Sequence, residues 1–447
     1  MEFNSFFVEN LNSFFKKTQK SFLGRFCSDS LFFTNIDNII FILLLFLLAF
    51  SVFVSTNTIG AFLFAIVFLF ILKLLFKENT EIKLSKIDFW IILYYLIVTV
   101  SLFASSNFSL SFHGYLKMIT YFAFYFSISR LFENNKRKIL ILIMLVAFLC
   151  TLESVIGIIQ NSFGVLAIST WQDVSRLNSN EILSRCYGTL KPYNPNLLAG
   201  YLIATVSSIF CLGAFSFLKK HKIGLIVSSV SLFATFLAIF YSGCRGAYIA
   251  LFFMILTAFF GIYKFTNGFS TIKKRFKTII AVVFSAFTCI LLSMPPIYKR
   301  IISIFAMRGD SSTSFRMNVY EASFNMFLDN PFLGIGVGNQ NFREVYGLYM
   351  KTGFDALGAY SVPLEIMVES GIFALVAFVL FLTASLRKCF YIIRNSESNV
   401  KIALVFSILL MIIGIMVHGI FDTIYFRPQL QVIFWTYIAI LNILTEE

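Results

Sequence analysis

His418 and Asp422 stand four residues apart in VHGIFDTIYFRP, a spacing that puts both side chains on one face of a helix. A carboxylate that orients an imidazole begins general acid or base chemistry; a bond that ties off a helix end is the competing reading. Arginines form a second set. Arg245 lies in YSGCRGAYIAL between Gly243 and Gly246, Arg316 in SSTSFRMNVYEASF, and Arg185 and Lys191 just before the Asn194-Pro195-Asn196 turn. A guanidinium grips carboxylate or phosphate with a rigid fork of donors, so these positions point to anion binding, against the plainer alternatives of lipid phosphates and helix-end capping. A helix beginning after the Asn-Pro-Asn turn would add free backbone amides, which also favour anions.

Further polar groups are weaker signals. Gly334, Gly336 and Gly338 in GIGVGNQNF lack the G-x-G-x-x-G spacing and follow no strand, so they predict a tight backbone turn. Asn339, Gln340 and Asn341 after it suit either sugar hydroxyls or loop filling. Glu365 and Glu369 form an i, i+4 pair, one of which could answer an arginine. His113 and Lys117 are also four apart, and Lys117 could pair with Glu153 inside the bilayer, where an isolated charge costs roughly 2.5–3.5 kcal/mol. His113, His221 and His418 have no ligand spacing, so neither a metal nor another cofactor is expected. Of the seven Cys, Cys186 and Cys244 are the two on one side that could form a disulfide.

These groups need a scaffold, and hydropathy supplies it. Twelve apolar stretches near the roughly 20 residues of a bilayer-crossing helix fall at 39–55, 59–76, 88–105, 112–129, 138–159, 196–217, 223–241, 246–263, 278–294, 363–385, 402–417 and 429–444. The expected fold is an all-α polytopic membrane protein of about twelve helices. With 58% hydrophobic and 13% charged residues, no sizeable soluble domain remains. Alternate connections carry 24 of the 36 Lys and Arg, which predicts that both termini are cytoplasmic. The net charge of +14 is therefore topological, and no nucleic-acid partner is implied. Eight of the 11 basic residues assigned to the outer side are Arg (176, 185, 245, 300, 308, 316, 343 and 427), against six of 24 on the inner side. The 58 Phe read as lipid-facing filling.

Four regions follow. Residues 1–38 read as a cytoplasmic amphipathic segment lying along the inner leaflet, with no cleavable signal. Residues 39–294 hold spans 1–9, 295–361 form a large outer, periplasmic loop, and 362–447 hold spans 10–12 and a short cytoplasmic tail. The large loop is expected to fold. Pro295 and Pro296 end a span, and Ile297, Ile301, Ile302 and Phe305 recur at helical spacing. A helix follows, capped near Thr313 or Ser314 and stopped by Pro331, with Phe315, Val319, Ala322 and Met326 on one face. That start places Arg316 in the first turn, where the helix dipole does not favour a cation, which suggests a ligand-holding task.

From about 185 to 440 the chain resembles the O-antigen ligase and polymerase superfamily of bacterial membrane proteins. NPNLLAGYL, SGCRGAYIAL, SFRMNVYEASFNMFLDNPFLGIGVGNQNF, VESGIFAL and HGIFD occur in family order. The resemblance implies a bacterial inner-membrane protein with about twelve spans and a folded outer loop, transferring glycans from a polyprenyl-diphosphate carrier without a metal. It also implies that Arg245 and Arg316 hold the donor diphosphate. Ligases carry a His motif just before the V-E-S-G span, proposed to activate the acceptor hydroxyl. Here the run is GAYSVPLEIMVESG, with Tyr360 and Ser361 at the His and Asn places. A tyrosine with an ordinary pKa of about 10 is a poor base at neutral pH.

The same stretch resembles a cyanobacterial branch named for bicarbonate transport. Two readings follow: glycosyl transfer at the outer face, with His418, Asp422 and Tyr360 as catalytic candidates and Arg245, Arg316, Arg185, Lys191, Asn339 and Glu369 as substrate-binding candidates; or uptake of bicarbonate through a similar anion site. The sequence shows no obvious inverted repeat with paired broken helices.

Overall fold

The computed structural model describes residues 6–21, 24, 27, 30–77, 80–133, 135–164, 185–265, 311–351 and 354–444. Within them every regular element is a helix. In chain order these are α1 (Phe6–Gln19), α2 (Leu31–Thr34), α3 (Ile36–Phe50), α4 (Thr56–Phe76), α5 (Lys86–Phe103), α6 (Phe108–Ser129), α7 (Lys136–Ser162) and α8 (Pro195–Leu218). Then come α9 (Lys222–Tyr241), α10 (Arg245–Phe265), α11 (Ser311–Asp329), α12 (Asn339–Tyr346), α13 (Val362–Asn395), α14 (Asn399–Gly419), a 3-10 turn at Ile424–Phe426 and α15 (Pro428–Ile443). Seven (α4, α5, α7, α8, α9, α13, α14) are long and apolar enough to cross a bilayer; α3, α15 and Arg245–Gly261 within α10 are shorter apolar helices. The chain is a multi-pass α-helical membrane protein. Eleven of the expected spans fall on these helices and on α6. The expected ninth, 278–294, lies outside the described residues, as do Arg176, Arg300, Arg308, Pro295, Pro296 and the apolar repeat from Ile297 to Phe305.

Contacts between helix ends sort the bundle into two ends. At one, Asp37 opening α3 pairs with Lys73 and Lys77 closing α4, each at 2.6 Å. There too Asn442 of α15 donates to Asp88 of α5 at 3.0 Å, and Lys388 of α13 donates to the Asn442 carbonyl at 2.7 Å. Asp88 completes a capping box with Ser85 and accepts the Tyr125 hydroxyl, so one buried carboxylate joins three helices. The other end carries Arg185, Arg245 and Arg316. Lysine dominates the first end and arginine the second.

α8 and α15 form the centre, with α8 packed on α7, α9 and α14 and α15 on α6. Trp435 is buried, stacks on Phe381 at 5.7 Å and donates its indole N–H to Gln431 at 2.6 Å. Phe64, Phe148, Phe233 and Phe260 are 59–71% exposed on the bundle surface, as lipid-facing filling requires, but Phe124, Phe132, Phe381 and Phe434 are core residues. The abundance of Phe therefore serves both surface and interior.

α13 is interrupted at Gly371, with φ 77° and ψ −179°. The break frees backbone groups that the 331–338 segment satisfies: Ile335 and Gly336 N–H donate to the Val368 and Glu369 carbonyls at 2.9 and 3.0 Å, and Ile372 N–H donates to Pro331 O at 2.9 Å. Ser101 adds a hydroxyl to the Glu369 carbonyl at 2.9 Å. Unwound backbone at membrane depth is tolerated because protein groups replace the lost helical bonds. Beyond it, α11, α12 and residues 354–360 surround a small core of Val319, Ala322, Met326, Phe342, Tyr346 and Ala359. Val319, Ala322 and Met326 are buried as the one-face pattern predicts. α11 begins at Ser311, earlier than expected, so Arg316 sits in the second turn and the dipole argument for it falls away.

Candidate functional site

The cluster at the arginine end is built from four separate segments. Asn194 caps α8, its side chain accepting from Asn196 N–H at 2.8 Å, and this turn presents Asn196. Arg185 donates from Nε to Ser242 O and from Nη2 to Asn196 Oδ1, both at 2.7 Å. Asn196 Nδ2 donates to Asp422 Oδ2 at 2.9 Å. Arg316 of α11 reaches the same carboxylate from the other side, Nη2 to Oδ2 at 3.0 Å, and Nη1 donates to Phe421 O at 2.5 Å. Arg185 and Arg316 thus converge on Asp422, one through an amide and one directly. Gly243, at φ 63°, makes room for this: a Cβ there would lie 3.2 Å from Arg185 Nε.

Tyr360 closes the cluster. Its ring lies 5.8 Å from the Arg316 guanidinium and edge-on to Phe315, and the Tyr320 hydroxyl donates to its carbonyl at 3.1 Å. A cation over an aromatic face gains roughly 0.5–2 kcal/mol, which helps hold Arg316 in place. Burial and then the Asp422 charge push the Tyr360 phenol above its usual value, so it stays neutral. Burial opposes the Arg316 charge, but Asp422 outweighs it and holds the guanidinium above its ordinary value. Two of the five guanidinium N–H donors are taken by Phe421 and Asp422, leaving a donor face for an anion.

His418 and Asp422 lie on this cluster but take different partners. α14 ends at Gly419, so Asp422 stands past the helix end, and its second oxygen accepts from Thr423 N–H at 2.8 Å. His418 is fully buried, with Nε2 3.3 Å from Cys244 Sγ and Nδ1 without a hydrogen-bond partner among the described residues. The expected carboxylate–imidazole bond is replaced by a thiol–imidazole contact, because leaving the helix turns Asp422 toward Arg316. A buried nitrogen without a bond costs about 1–3 kcal/mol, the kind of strain kept at functional sites. Burial raises the Cys244 thiol, but His418 and Arg185 outweigh it and bring it down to about 7. Arg245 opens α10 immediately after Cys244, half-buried. Gly246 lies against the imidazole, where a Cβ would come 2.9 Å from Cδ2.

Other candidates stand apart from this cluster. Lys191 is exposed, and its carbonyl accepts from Gln429 Nε2 at 3.1 Å. Asn339 donates to Leu357 O at 2.7 Å, while Asn341 is fully buried and donates to Ile335 O and Gly336 O, a structural role instead of a sugar contact. Glu369 accepts from Gly338 N–H at 2.9 Å and Glu365 from Ala359 N–H at 3.0 Å. Both face a cavity of about 90 Å³ with Lys117, Asn339, Tyr94 and Tyr425. Lys117 therefore belongs to this cavity. Glu153 instead takes the backbone N–H and hydroxyl of Thr189, so the Lys117–Glu153 pair that the sequence allowed does not form. Cys186 and Cys244 are free thiols, Cys186 donating to Ala238 O at 3.5 Å, so the disulfide that their placement allowed is not formed. No three His, Cys, Asp or Glu side chains gather as metal ligands among the described residues.

Asn196 and Tyr320 were not singled out by sequence reasoning, and Cys244 was named only as a disulfide candidate. Asn196 had a signal, the second Asn of an Asn-Pro-Asn turn; the place of Cys244 beside His418 and of Tyr320 beside Tyr360 becomes legible only through those contacts.

Residues 230–379, about a third of the chain, match the family model of the O-antigen ligases. The matched stretch contains Arg245, Arg316, Tyr360 and Glu369 and ends before His418 and Asp422. No curated protein matches the chain.

Proposed function

We propose that the chain is a bacterial inner-membrane glycosyltransferase of the O-antigen ligase or polymerase type, with both termini cytoplasmic and the arginine end at the outer face. Its donor is a glycan on a polyprenyl diphosphate. An acceptor hydroxyl attacks the anomeric carbon, the new C–O bond forms as the bond to the diphosphate breaks, and the diphosphate leaves with the electron pair. Arg316 and Arg245 bind that anion, where a preorganised cation stabilises developing charge. Arg185, Asn196 and Asp422 are positioning residues for Arg316. His418 is the candidate for taking the acceptor proton, because Asp422 is occupied by three donors and Tyr360 is held neutral. The observation that carries this reading is the Arg316–Asp422–Asn196–Arg185 chain at the arginine end of the bundle.

Bicarbonate uptake is the second reading, and the broken α13 beside Glu365, Glu369 and Lys117 is what favours it. Interrupted helices are common in transporters, but in pairs, and α13 is the one spanning helix with an interior break among the described residues. Lipid extracts of cells carrying wild type or Arg245→Ala at matched expression separate the two. Accumulated polyprenyl-diphosphate-linked glycan in the variant supports transfer; unchanged levels overturn it.

A further inference from the structure

A cavity lies at the opposite, lysine end. It measures about 670 Å³ and is lined by Lys73, Lys77, Lys83, Arg130 and Lys138 against three carboxylates, Asp37, Glu81 and Glu133. Those carboxylates have recorded partners: Asp37 holds both Lys73 and Lys77 at 2.6 Å, Glu133 holds Arg130 at 3.1 Å, and Glu81 is taken by Lys16 of α1 at 2.7 Å. Lys138 has no ion pair recorded among the described residues; it lies 5.3 Å over the Phe41 ring and donates to the Asp37 carbonyl at 3.4 Å. The wall is thus net cationic, with Lys83 and Lys138 in excess.

A topological bias toward lysine explains basic connections but not their convergence on one cavity. Here cations from the 73–83, 130 and 138 regions face a shared space, and the rim is fixed by other elements. Asn12 of α1 exchanges two bonds with the Ile82 backbone, both at 2.9 Å, and Gln19 donates to Leu74 O and Thr80 O at 2.8 and 3.2 Å. Arg130 Nη2 donates to Lys83 O at 2.6 Å. Phe70, Phe126 and Leu131 complete the wall with apolar surface. A soluble anion has no use for that surface, whereas an amphiphile with a phosphate head and apolar stem does. Basic pockets between transmembrane helices bind anionic head groups on these terms.

We propose that this cavity binds the phosphate of an anionic phospholipid from the leaflet at the lysine end, and that α1 is the strap that holds its rim. The site is independent of the transfer reaction at the other end.

The test uses the full chain purified in detergent, delipidated, and titrated with phosphatidylglycerol, phosphatidylcholine or inorganic phosphate. Bound lipid is counted by native mass spectrometry, and melting is followed in parallel. Phosphatidylglycerol is expected to bind and raise the melting temperature. A Lys83→Gln/Lys138→Gln double variant is expected to weaken binding roughly 20- to 30-fold, at about fivefold per cation lost. The charge-preserving Lys83→Arg/Lys138→Arg variant is expected to restore it, which separates a lost site from a lost fold. Equal stabilisation by phosphatidylcholine or by inorganic phosphate overturns the lipid assignment. Wild-type affinity in the Gln double variant, or no rescue by the Arg variant, overturns the site.

Discussion

Arg316 and Asp422 are 106 residues apart in sequence and meet at 3.0 Å, tying α11 to the end of α14. Their side chains are 23% and 12% exposed, so the pair is only partly screened. Because Nη1 and Nη2 address two different acceptors, a point charge cannot replace the fork. Arg316→Lys should lower glycan transfer at least tenfold in a lipid-linked-donor assay while the protein still folds. Arg316→Ala, which leaves Asp422 without its cation, should also destabilise by roughly 2 kcal/mol, seen as a lower melting temperature. Full activity in Arg316→Lys would remove the bidentate role.

Gly246 is the contact surface for His418. A Cβ there would sit 2.9 Å from Cδ2, 3.3 Å from Nε2 and 3.3 Å from the Phe421 Cβ. These neighbours are a buried imidazole and the first side-chain carbon of Phe421, and overpacking of this kind costs roughly 1–3 kcal/mol. Gly246→Ala should therefore reduce transfer more than it reduces melting temperature, because it displaces His418 and the Phe421 carbonyl together. Equal, small losses in both would mean that the imidazole position does not matter to the reaction.

The break in α13 rests on Gly371. Its backbone conformation is accessible essentially to glycine alone, and a Cβ would run into the Phe332 carbonyl. Gly371→Ala should cost at least about 3 kcal/mol and uncouple the 331–338 segment from α13. Hydrogen exchange at Ile335 and Gly336, whose amides bond across the break, is the direct readout and should accelerate.

How much of this was legible depended on range. Spans such as α7 and α14 follow from continuous apolar runs, and the buried face of α11 from Val319, Ala322 and Met326 at helical spacing. Arg316 could be named from its chemistry and the family resemblance. Its partner could not: i, i+4 spacing tied Asp422 to His418 and offered Glu365 or Glu369 to an arginine. The helix end at Gly419 freed Asp422, and backbone amides of Ala359 and Gly338 took the two glutamates. The α13 break was equally hidden, since VESGIF reads as one helical run until the 331–338 segment is seen to bond to it. Local pattern gives elements; which loop carbonyl meets which side chain is a long-range outcome.

Cys186 and Cys244 provide a check on the packing itself. Each thiol has its own neighbour, Ala238 O for one and His418 for the other. Digestion after denaturation without reductant should yield both cysteines singly alkylated. A disulfide-linked peptide pair would mean that the His418 contact is not formed in the native protein.

Tyr360 is where acceptor activation should differ from that of a His-bearing ligase. Its phenol, raised above its usual value by burial and by Asp422, does not titrate between pH 6 and 8, so it contributes no step to the rate there. Its ring still holds Arg316 from 5.8 Å. Tyr360→Phe should then keep the cation contact and the melting temperature, and reduce transfer only by what the hydroxyl contributes, within about tenfold. Tyr360→His introduces a group with an ordinary pKa of about 6.5. A base acts when deprotonated, so in that variant transfer should rise with pH through about 6.5 and level off above it, with no such added step in wild type. A pH profile unchanged from wild type would place Tyr360 outside the path of the acceptor proton, and leave His418 as the group to examine.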